Sequence, residues 1–599
     1  LLANLRSDDP VKELSFEPVL ITDECELERI LGGISSDTLI AFDTETTSIE
    51  AREAKIVGFS FCFNEQKSYY VPISHNYLGV PNMVSYKVAA WAIEQIFSAF
   101  VIGQNLKYDF KIILNNFGIK PPKNYADTMI MAWLDNPSTS VGMDALAKKL
   151  YDYDTIKFES VVKKGETFAS VELESAAKYA AEDAWITLRF YNSFCKKLEP
   201  NMLKIAKEIE FDFILTLLDM EDNGIKVNQS KLRELIDKNN IQLESLKVQI
   251  YELCGIKFNI NSTKQLGEVL FDELKLPSKK KTKTGYSTDE SVLNELVELH
   301  PCVAKILEYR ELYKLQSTYC EPILNLAQKD VDSRVYTSFI HTGTATGRLA
   351  SKNPNLQNIP ARGSYAKPFR AVFEAKDGYS LLSLDYSQIE LRLLAHFSGD
   401  VALVEAFKSG KDIHAQSAIN IFGESNEQNR AIAKSINFGL IYGMGVNKLS
   451  ANLDIDKKAA KEYITRYFNA FSGVQDYLQS IKDSAKRDGF VETLLSRRRY
   501  FDFSNASAMQ VAMYEREAVN SKFQGSAADI IKLAMLKIRP MLGDAKMLLQ
   551  IHDELIFEVS DDIAQEFGAQ VANVMSSVVN LNVPLVVNYN IAKNWANLK

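Results

Sequence analysis

Strand-like segments occur in two separate parts of this sequence, and long helical patterns fill the chain between them. Residues 38–73 contain an apolar run that ends in FDTET and an alternating stretch, IVGFSFCF, which is typical of a strand. After residue 338 strands return as SLLSLD, and MLLQI and LIFEV flank a short link, HDE, which predicts a hairpin over 547–559. Helical spacing dominates two long stretches, 199–328 and 400–515. The order predicts an α/β unit in the first 195 residues and a larger mixed unit after it.

Composition narrows the class of protein. At about 100 to 200 residues per domain, 599 residues predict roughly three to six domains. No run of 18 apolar residues and no signal peptide is found, so we expect neither a membrane span nor secretion. The six cysteines form no CxxC pair, which favours a reducing, intracellular compartment. The net charge of -8 means that any surface for a polyanion must be a local basic patch.

Acidic residues cluster in three segments of the first unit. Asp43 and Glu45 stand two residues apart at the end of a strand, so both side chains leave the same face of the sheet. Two further segments supply a helical Asp109 and, four residues apart on one helical face, Tyr179 and Asp183. Each residue alone is more often solvated. Together the carboxylates could bind two hard cations for phosphodiester cleavage, with Tyr179 orienting the attacking water.

A second pair of carboxylates lies at strand ends in the C-terminal half. Asp385 ends SLLSLD, and Asp553 lies in the link of the predicted hairpin. If these strands are neighbours, the pair could bind two Mg²⁺ ions, with the backbone carbonyl of Tyr386 as a further ligand. The alternative for either aspartate alone is an acidic turn residue.

The helical segment between these aspartates carries a stripe of cations and aromatics. Arg430, Lys434, Phe438 and Tyr442 recur every four residues along one face. Like charges one turn apart repel by roughly 0.2 to 0.5 kcal/mol, so a bound anion such as a triphosphate would relieve that cost. The two aromatic rings could stack on a base or could belong to the core. A Lys-rich stretch, 279–283, is either a solvated loop or a tip that contacts phosphate.

Longer strings around these residues resemble a known family. LDYSQIELR (384–392), RAIAKSINFGLIYG (430–443) and QIHDELIFEV (550–559) resemble the three polymerase motifs of family A DNA polymerases, of the bacterial DNA polymerase I large-fragment type. FDTET, GQNLKYD and YAAEDA are similar to the three proofreading motifs of the same enzymes. TGTATGR, SINFG and GMGVNK depart from the bacterial strings, so fidelity and lesion tolerance do not carry over. The many Asn, Lys and Ile residues resemble the apicoplast branch of the family in malaria parasites, which implies an organellar location.

The resemblance implies a fold, α/β plus α+β and multidomain. An RNase H-like 3'-5' exonuclease domain is expected over 1–195 and a right-handed polymerase domain over 196–599. Within the latter, the resemblance implies three parts: a thumb at about 200–335, a palm at about 336–398 and 516–599, and fingers at about 399–515.

The resemblance also implies a role for each matching residue. Asp385 and Asp553 correspond to catalytic metal ligands, with Glu554 as an auxiliary acid, and Asp43, Glu45, Asp109 and Asp183 to the metal ligands of proofreading. Glu390 matches the residue that blocks a ribose 2' hydroxyl. The remaining matches are residues that hold the triphosphate (His414, Arg430, Lys434), pack near the sugar and base (Phe438, Tyr442) or touch the primer-template (Arg348, Gln524, His552).

The function that the resemblance implies is template-directed DNA synthesis with proofreading, in replication and repair of an organelle genome. It implies dNTPs, primer-template DNA and two Mg²⁺ ions per site, with Mn²⁺ as the other candidate ion. A helicase or primase at a fork is the candidate partner, and a monomer is expected. Two alternatives remain: a 3'-5' repair exonuclease whose polymerase domain is inactive but binds DNA, and a single-strand-binding or scaffolding protein.

Overall fold

A computed structural model describes residues 14–277, 281–282 and 285–598. Of the Lys-rich stretch 279–283, only 281–282 lie among the described residues. In chain order, the strands are β1 (Glu17–Leu20), β2 (Leu39–Thr46), β3 (Ile56–Cys62), β4 (Lys67–Pro72), β5 (Phe100–Gly103), β6 (Asn124–Asp127), β7 (Ile225–Val227), β8 (Lys281–Thr282), β9 (Gly285–Tyr286), β10 (Arg334–Val335), β11 (Ser338–Ile340), β12 (Ala350–Lys352), β13 (Phe373–Glu374), β14 (Tyr379–Tyr386), β15 (Phe490–Glu492), β16 (Arg498–Tyr500), β17 (Lys546–Ile551), β18 (Glu554–Ser560) and β19 (Val587–Ala592).

Helices connect and cover these strands. Those of the first two hundred residues or so are α1 (Glu24–Leu31), α2 (Tyr86–Ser98), α3 (Leu106–Phe117), α4 (Thr128–Asp135), α5 (Met143–Tyr151), α6 (Phe158–Val161), α7 (Leu173–Lys197) and α8 (Pro200–Ile205). The next are α9 (Phe211–Asn223), α10 (Gln229–Cys254), α11 (Thr263–Gly267), α12 (Glu290–Asn294), α13 (Pro301–Leu315), α14 (Glu321–Lys329) and α15 (Ala366–Arg370). The last are α16 (Ile389–Ser398), α17 (Val401–Lys408), α18 (Ile413–Phe422), α19 (Glu427–Ile441), α20 (Val446–Leu453), α21 (Lys457–Ala470), α22 (Ser472–Asp488), α23 (Ala508–Ile538) and α24 (Ala564–Ser577).

The N-terminal unit is built on a six-stranded sheet in the order β1-β4-β3-β2-β5-β6. The strands predicted over 38–73 are confirmed as β2, β3 and β4, and β2 pairs antiparallel with β3 but parallel with β5. Every residue of β3 is buried, and helices α3 and α7 pack against it. The long helix α7 also packs against the other strands from β1 to β5. The polar end of β2 therefore lies close to α7.

The C-terminal unit contains a four-stranded antiparallel sheet in the order β17-β18-β14-β19. The predicted hairpin is confirmed, with one difference: the strand resumes at Glu554, so the link consists of His552 and Asp553 alone. His552 adopts a positive φ of 57°, as a two-residue hairpin link requires. Asp385, at the end of central strand β14, is paired with Glu554. The sheet register thus brings the two predicted aspartates to one edge.

Long helices surround this sheet and follow local capping signals. α23 has 31 residues and starts at a capping box in which the Ser507 side chain and Gln510 exchange bonds with each other's backbone. α16 begins at Ile389, and Gln388 has a left-handed conformation at its N-cap. Within the C-terminal unit, α10 and α13 enclose a separate apolar core.

A buried charge network joins four separate segments of the C-terminal unit. We call it the junction cluster; its members are Glu210, His341, Arg497, Asp529 and Lys532, all buried. Glu210 accepts hydrogen bonds from Arg497, from Lys532 Nζ at 2.8 and 3.0 Å and from His341 Nε2 at 2.5 Å. Asp529 Oδ1 accepts two bonds from Arg497, at 2.7 and 2.8 Å. The negative charges of Glu210 and Asp529 therefore balance the positive charges of Arg497 and Lys532.

The electrostatics of Glu210 show how strongly the cluster depends on its own members. Burial alone would raise the pKa of Glu210, but Lys532, Arg497 and His341 outweigh burial and hold that pKa well below its usual range. Burial lowers the pKa of His341 to about 4, so its ring is neutral at physiological pH. A buried charge that is bonded on both oxygens is stable only while those partners stay in place.

None of the helices in the described residues has both the length and the apolar character needed to cross a membrane.

We expect Glu210→Gln to destabilise the protein by about 3 kcal/mol or more, because it leaves the buried Arg497 and Lys532 without their full counter-charge. Thermal unfolding followed by circular dichroism would measure the loss. Glu208→Gln is the matched control, since its carboxylate, 63% exposed, forms only a surface pair with Lys204. Equal melting temperatures for the two variants would contradict a supporting role for the cluster.

Candidate functional site

Three carboxylates meet at the end of β2 in the N-terminal unit. Asp43 and Glu45 on β2 and Asp183 on α7 each place one oxygen within 4.8 Å of the others. Because Asp43 and Glu45 are separated by one residue on a strand, both face α7. The structure thus brings together three of the four acidic residues that the sequence selects here. This is a donor set of the hard oxygen type that Mg²⁺ and Mn²⁺ prefer.

Asp109 lies beside this group without belonging to it. Its Oδ1 accepts hydrogen bonds from Thr44, at 2.6 Å from the hydroxyl and 3.2 Å from the backbone nitrogen. Burial raises the pKa of Asp109, and the charge of Asp43 adds to the effect, so the two carboxylates are near enough to interact. Its bond to Thr44 fixes the strand segment between Asp43 and Glu45.

The electrostatics of these carboxylates favour a bound cation. Burial raises the pKa values of Asp43 and Glu45 well above their usual range, and neighbouring carboxylates raise them further. Glu45 Oε1 is buried with no hydrogen-bond partner among the described residues. A buried acceptor without a donor costs roughly 1 to 3 kcal/mol, which a coordinated ion would relieve. The residues present therefore fit a divalent metal.

Tyr179 lies one turn before Asp183 on α7. Burial and the charge of Asp183 raise the pKa of its phenol, so the hydroxyl keeps its proton at physiological pH. A protonated phenol beside the carboxylates can donate a hydrogen bond to a water molecule or to a substrate oxygen.

The second candidate site is a cavity of about 420 Å³ in the C-terminal unit. Asp385, Tyr386 and Asp553 line its floor, and Tyr386 N donates to the backbone oxygen of Asp553 at 3.2 Å. Helices α16, α19 and α23 supply much of the remaining wall, through residues such as Glu390, Phe438 and Ala528. Two carboxylates and an adjacent main-chain carbonyl again form an oxygen donor set for a divalent cation.

Glu390 is held on both of its oxygens at the side of this cavity. Arg348 Nη2 donates to Oε1 at 2.5 Å, and Tyr442 Oη donates to Oε2 at 2.6 Å. Burial raises the pKa of Glu390, while the bonds from Tyr442 and Arg348 oppose that rise. The carboxylate thus has a fixed position between the 344–348 loop and the end of α19.

The stripe on α19 is confirmed as a helical face, but its members differ in exposure. Arg430 and Lys434 are exposed, and Arg430 Nε donates to Asp412 at 2.7 Å. Phe438 is half-buried and, with Tyr442, lines the cavity. The cations therefore remain available to an anion from outside, and the aromatics face the site.

His414 is less accessible than the sequence suggests. It is buried, and its two ring nitrogens contact Asn437 at 2.9 Å and Gln388 at 3.2 Å. Burial lowers its pKa to about 4, so the ring is neutral. The structure does not place this ring in the wall of the cavity, but Gln388, which it contacts, lies there.

Two of the three residues expected to touch DNA, Arg348 and His552, line the same cavity. The third, Gln524, is half-buried on α23 and is not part of the cavity wall. Sequence reasoning missed Gln388, Gln550 and Lys532, which also line the cavity. Gln388 stands between Asp385 and Glu390 within one motif, and this position could have identified it as a cavity residue. No local sequence pattern indicates Lys532.

A second cavity, of about 650 Å³, lies on the other side of Tyr442. Gly443 and Arg516 line it, and a Cβ on Gly443 would lie 2.8 Å from the Arg516 side chain. Glycine is therefore required there for the close approach of α23.

Comparisons with known proteins agree with this geometry. The family described as DNA polymerase family A matches residues 229–597, and a family described as 3'-5' exonuclease matches residues 18–199. DNA polymerase I of Borreliella burgdorferi is 38% identical over 593 residues, covering 96% of this chain and 64% of the relative. DNA polymerase I of Pseudomonas aeruginosa is 39% identical, covering 99% of this chain and 67% of the relative. The chain thus spans about two thirds of the length of these relatives.

A solved structure supports the fold. The POL domain of Pol1 from M. smegmatis, in complex with DNA primer-template and dNTP, aligns with a TM-score of 0.86 and 30% identity. The alignment covers 97% of this chain and 100% of that one. The N-terminal unit and the C-terminal unit are therefore an exonuclease domain and a polymerase domain in a mixed α/β structure.

We expect Asp43→Asn to raise the melting temperature of the metal-free protein, because it removes one charge from a buried acidic group. Since the folded-state pKa values of these carboxyls are raised, their stabilising protons are present below the ordinary carboxyl pKa of about 4 and are lost as pH rises. The wild type in EDTA should therefore lose more stability than Asp43→Asn between pH 5 and pH 8.

Adding Mg²⁺ or Mn²⁺ should reverse this loss in the wild type and have less effect on Asp43→Asn. Asp37→Asn, at an exposed position of the same domain, is the control and should behave as the wild type does. An identical response to pH and metal in all three proteins would mean that the carboxylates bind no ion.

Proposed function

This chain belongs to family A of the DNA polymerases and carries a 3'-5' exonuclease domain, and from this premise we propose that it copies a DNA template and proofreads its product. The observation that carries the proposal is the presence of two separate carboxylate sites in one chain, each at the end of a buried strand. One lies in the exonuclease domain and the other in the cavity of the polymerase domain. Neither a nuclease alone nor a DNA-binding scaffold needs both.

In the polymerase site, Asp385, Asp553 and the carbonyl of Tyr386 would hold two divalent cations, Mg²⁺ or Mn²⁺. When bound, these ions supply Lewis-acid stabilisation of the charge that develops on the reacting phosphate. The reaction is attack by a primer 3' hydroxyl on the α-phosphate of a dNTP, with release of pyrophosphate. Glu554, buried beside Asp385 in the register of the sheet, acts as an auxiliary acid.

Exposed cations on α19 would receive the triphosphate of the incoming nucleotide. Arg430 and Lys434 lie one turn apart, and a polyphosphate between them neutralises their mutual repulsion. His414, a neutral and buried ring, contributes indirectly by fixing Gln388. Phe438 and Tyr442 then face the sugar and base from the end of the same helix.

The primer-template would be held by residues around the cavity rather than by overall charge. Arg348, Gln524 and His552 can donate hydrogen bonds to minor-groove acceptors, which all four base pairs present in similar positions. Contacts of this kind test the shape of a pair without reading its sequence.

In the exonuclease site, Asp43, Glu45, Asp109 and Asp183 are the proposed ligands of two divalent cations. Asp109 would have to exchange part of its bonding to Thr44 for a metal or a metal-bound water. Tyr179 keeps its phenolic proton and orients the attacking water. The product is a primer shortened by one mismatched 3' nucleotide.

We propose the domain limits that the resemblance implies, although the limit between fingers and palm at 515/516 falls inside α23 (Ala508–Ile538). The division between 1–195 and 196–599 falls near the end of α7, at Lys197. We assign the thumb to about 200–335, the palm to about 336–398 and 516–599, and the fingers to about 399–515. The antiparallel sheet with Asp385 then belongs to the palm, and α19 to the fingers.

The organellar role rests on the resemblance to the apicoplast branch alone, since the relatives named above are bacterial. A plastid transit segment in the upstream coding sequence would support it. A helicase or primase is the proposed partner at a fork, and the active form is a monomer. The alternative, a repair exonuclease with an inactive polymerase domain, lacks any observation in its favour, because the polymerase carboxylates are present.

Separate disruption of the two sites tests the proposed function. Asp385→Asn should abolish primer extension and leave 3' trimming of single-stranded DNA intact, because it removes metal charge from one site only. The double variant Asp43→Asn, Glu45→Gln should show the opposite pattern. Both activities would be measured on one labelled hairpin with Mg²⁺ and with EDTA. Extension by Asp385→Asn at the wild-type rate would refute the assignment of the polymerase site.

The position of Glu390 predicts a role in sugar choice. A ribose 2' hydroxyl would meet this fixed carboxylate and the ring of Tyr442, so rejection would come from a clash. We expect Glu390→Ala to lower the preference for dCTP over rCTP opposite template G by roughly 100-fold, about 3 kcal/mol in kcat/KM. Glu427→Ala, at an exposed position of α19, is the control. An unchanged ratio in Glu390→Ala would exclude a sugar gate.

A further inference from the structure

Trp133 of the exonuclease domain is buried against the polymerase domain. It lies on α4 and is 2% exposed. Its indole Nε1 donates a hydrogen bond of 2.9 Å to the backbone oxygen of Thr344. Its ring faces Lys532 at 5.0 Å and Arg497 at 5.1 Å, two cations of the junction cluster. One side chain of the first domain thus touches both the cluster and the 344–348 loop of the second.

The 344–348 loop continues this contact to the sugar gate. Thr344 Oγ1 donates to the backbone oxygen of Arg348 at 2.7 Å, which closes the loop on itself. The Arg348 guanidinium then donates to Glu390 at 2.5 Å, and Tyr442 donates to the other oxygen of Glu390 at 2.6 Å. An unbroken series of hydrogen bonds therefore links Trp133 to the end of α19.

Arg497 also packs against this loop, at Gly347. Gly347 has a φ of +88°, and a Cβ at this position would lie 3.3 Å from Arg497 Nε. Glu210 and Asp529 fix the guanidinium, whose Nη1 is buried with no hydrogen-bond partner among the described residues. The face of Trp133 is the electron-rich surface that such a desolvated cation prefers. Trp133 thus supports the loop through its N–H group and through Arg497.

We propose that Trp133 is a positioning residue for sugar selection: through Thr344 and Arg348 it fixes the carboxylate of Glu390. The proposal rests on the sugar gate described above. Exclusion of a 2' hydroxyl depends on the location of the two carboxylate oxygen atoms of Glu390. A displacement of the 344–348 loop by well under 1 Å would move these atoms and change the clash. By this argument the exonuclease domain contributes to which nucleotide the polymerase domain accepts, in addition to its own trimming reaction.

Trp133→Phe tests the proposal, because it keeps a ring over Arg497 and Lys532 but removes the N–H donor. The measurement is kcat/KM for dCTP and for rCTP opposite template G. We expect the ratio to fall about tenfold, equivalent to ~1.4 kcal/mol, while trimming of single-stranded DNA keeps its wild-type rate. In a Glu390→Ala background the same substitution should change the ratio no further, since it acts through Glu390.

Trp185→Phe is the matched control within the same domain. Trp185 is also fully buried, and its Nε1 donates to a backbone oxygen, that of Glu65, at 3.0 Å. It therefore loses the same kind of bond without touching the polymerase domain, and its ratio should equal that of the wild type. Should Trp133→Phe fail to fold, Thr344→Val tests the next hydrogen bond of the series. It removes the hydroxyl that donates to the backbone oxygen of Arg348, and it should also lower the ratio of kcat/KM for dCTP to that for rCTP.

Three results would overturn the proposal: an unchanged ratio in folded Trp133→Phe, an equal fall in Trp185→Phe, or a further fall when Trp133→Phe is added to Glu390→Ala. Failure of the sugar gate itself is recognised separately. In that case Glu390→Ala alone leaves the ratio at its wild-type value, and any effect of Trp133→Phe would then not pass through Glu390.

Discussion

Glu210 is the residue on which the packing of several distant segments of the polymerase domain depends. It lies after the first domain, is fully buried and accepts bonds from Arg497, Lys532 and His341, which come from three other segments. Burying the carboxylate without these partners would cost folding free energy. Burying the cationic partners without the carboxylate would be equally unfavourable. The segments that supply these groups are therefore held together at this point of the polymerase domain.

Both sites concentrate negative charge where water is scarce. Buried strands end in carboxylates that repel each other, as the raised pKa values of Asp43 and Glu45 show for the exonuclease site. A bound cation would reduce this repulsion, so metal binding would also stabilise the fold at the exonuclease site. The protein as a whole is acidic, with a net charge of -8, and yet it is proposed to act on a polyanion. Local groups such as Arg430 and Lys434, rather than net charge, would provide the attraction.

Sequence patterns predicted much of the fold and the carboxylates of both sites, because strand alternation, helical spacing and strand-end acids are local signals. Three features could not be predicted in this way. Asp109 bonds to Thr44 instead of completing the acidic group, His414 is enclosed by Asn437 and Gln388, and Trp133 reaches a residue 211 positions away. Each depends on which segments pack together, and neither periodicity nor motif spacing contains that information.

The 31-residue helix α23 has a consequence for how such a chain can change over time. It contacts the second cavity through Arg516, the first through Ala528 and the junction cluster through Asp529. A helix turns by about 100° per residue, so losing or gaining one residue between Arg516 and Ala528 would turn one of these faces away from its partner. Insertions and deletions in related sequences should therefore occur in the loops at the two ends of α23. The helix itself should keep its number of residues even where its side chains are substituted.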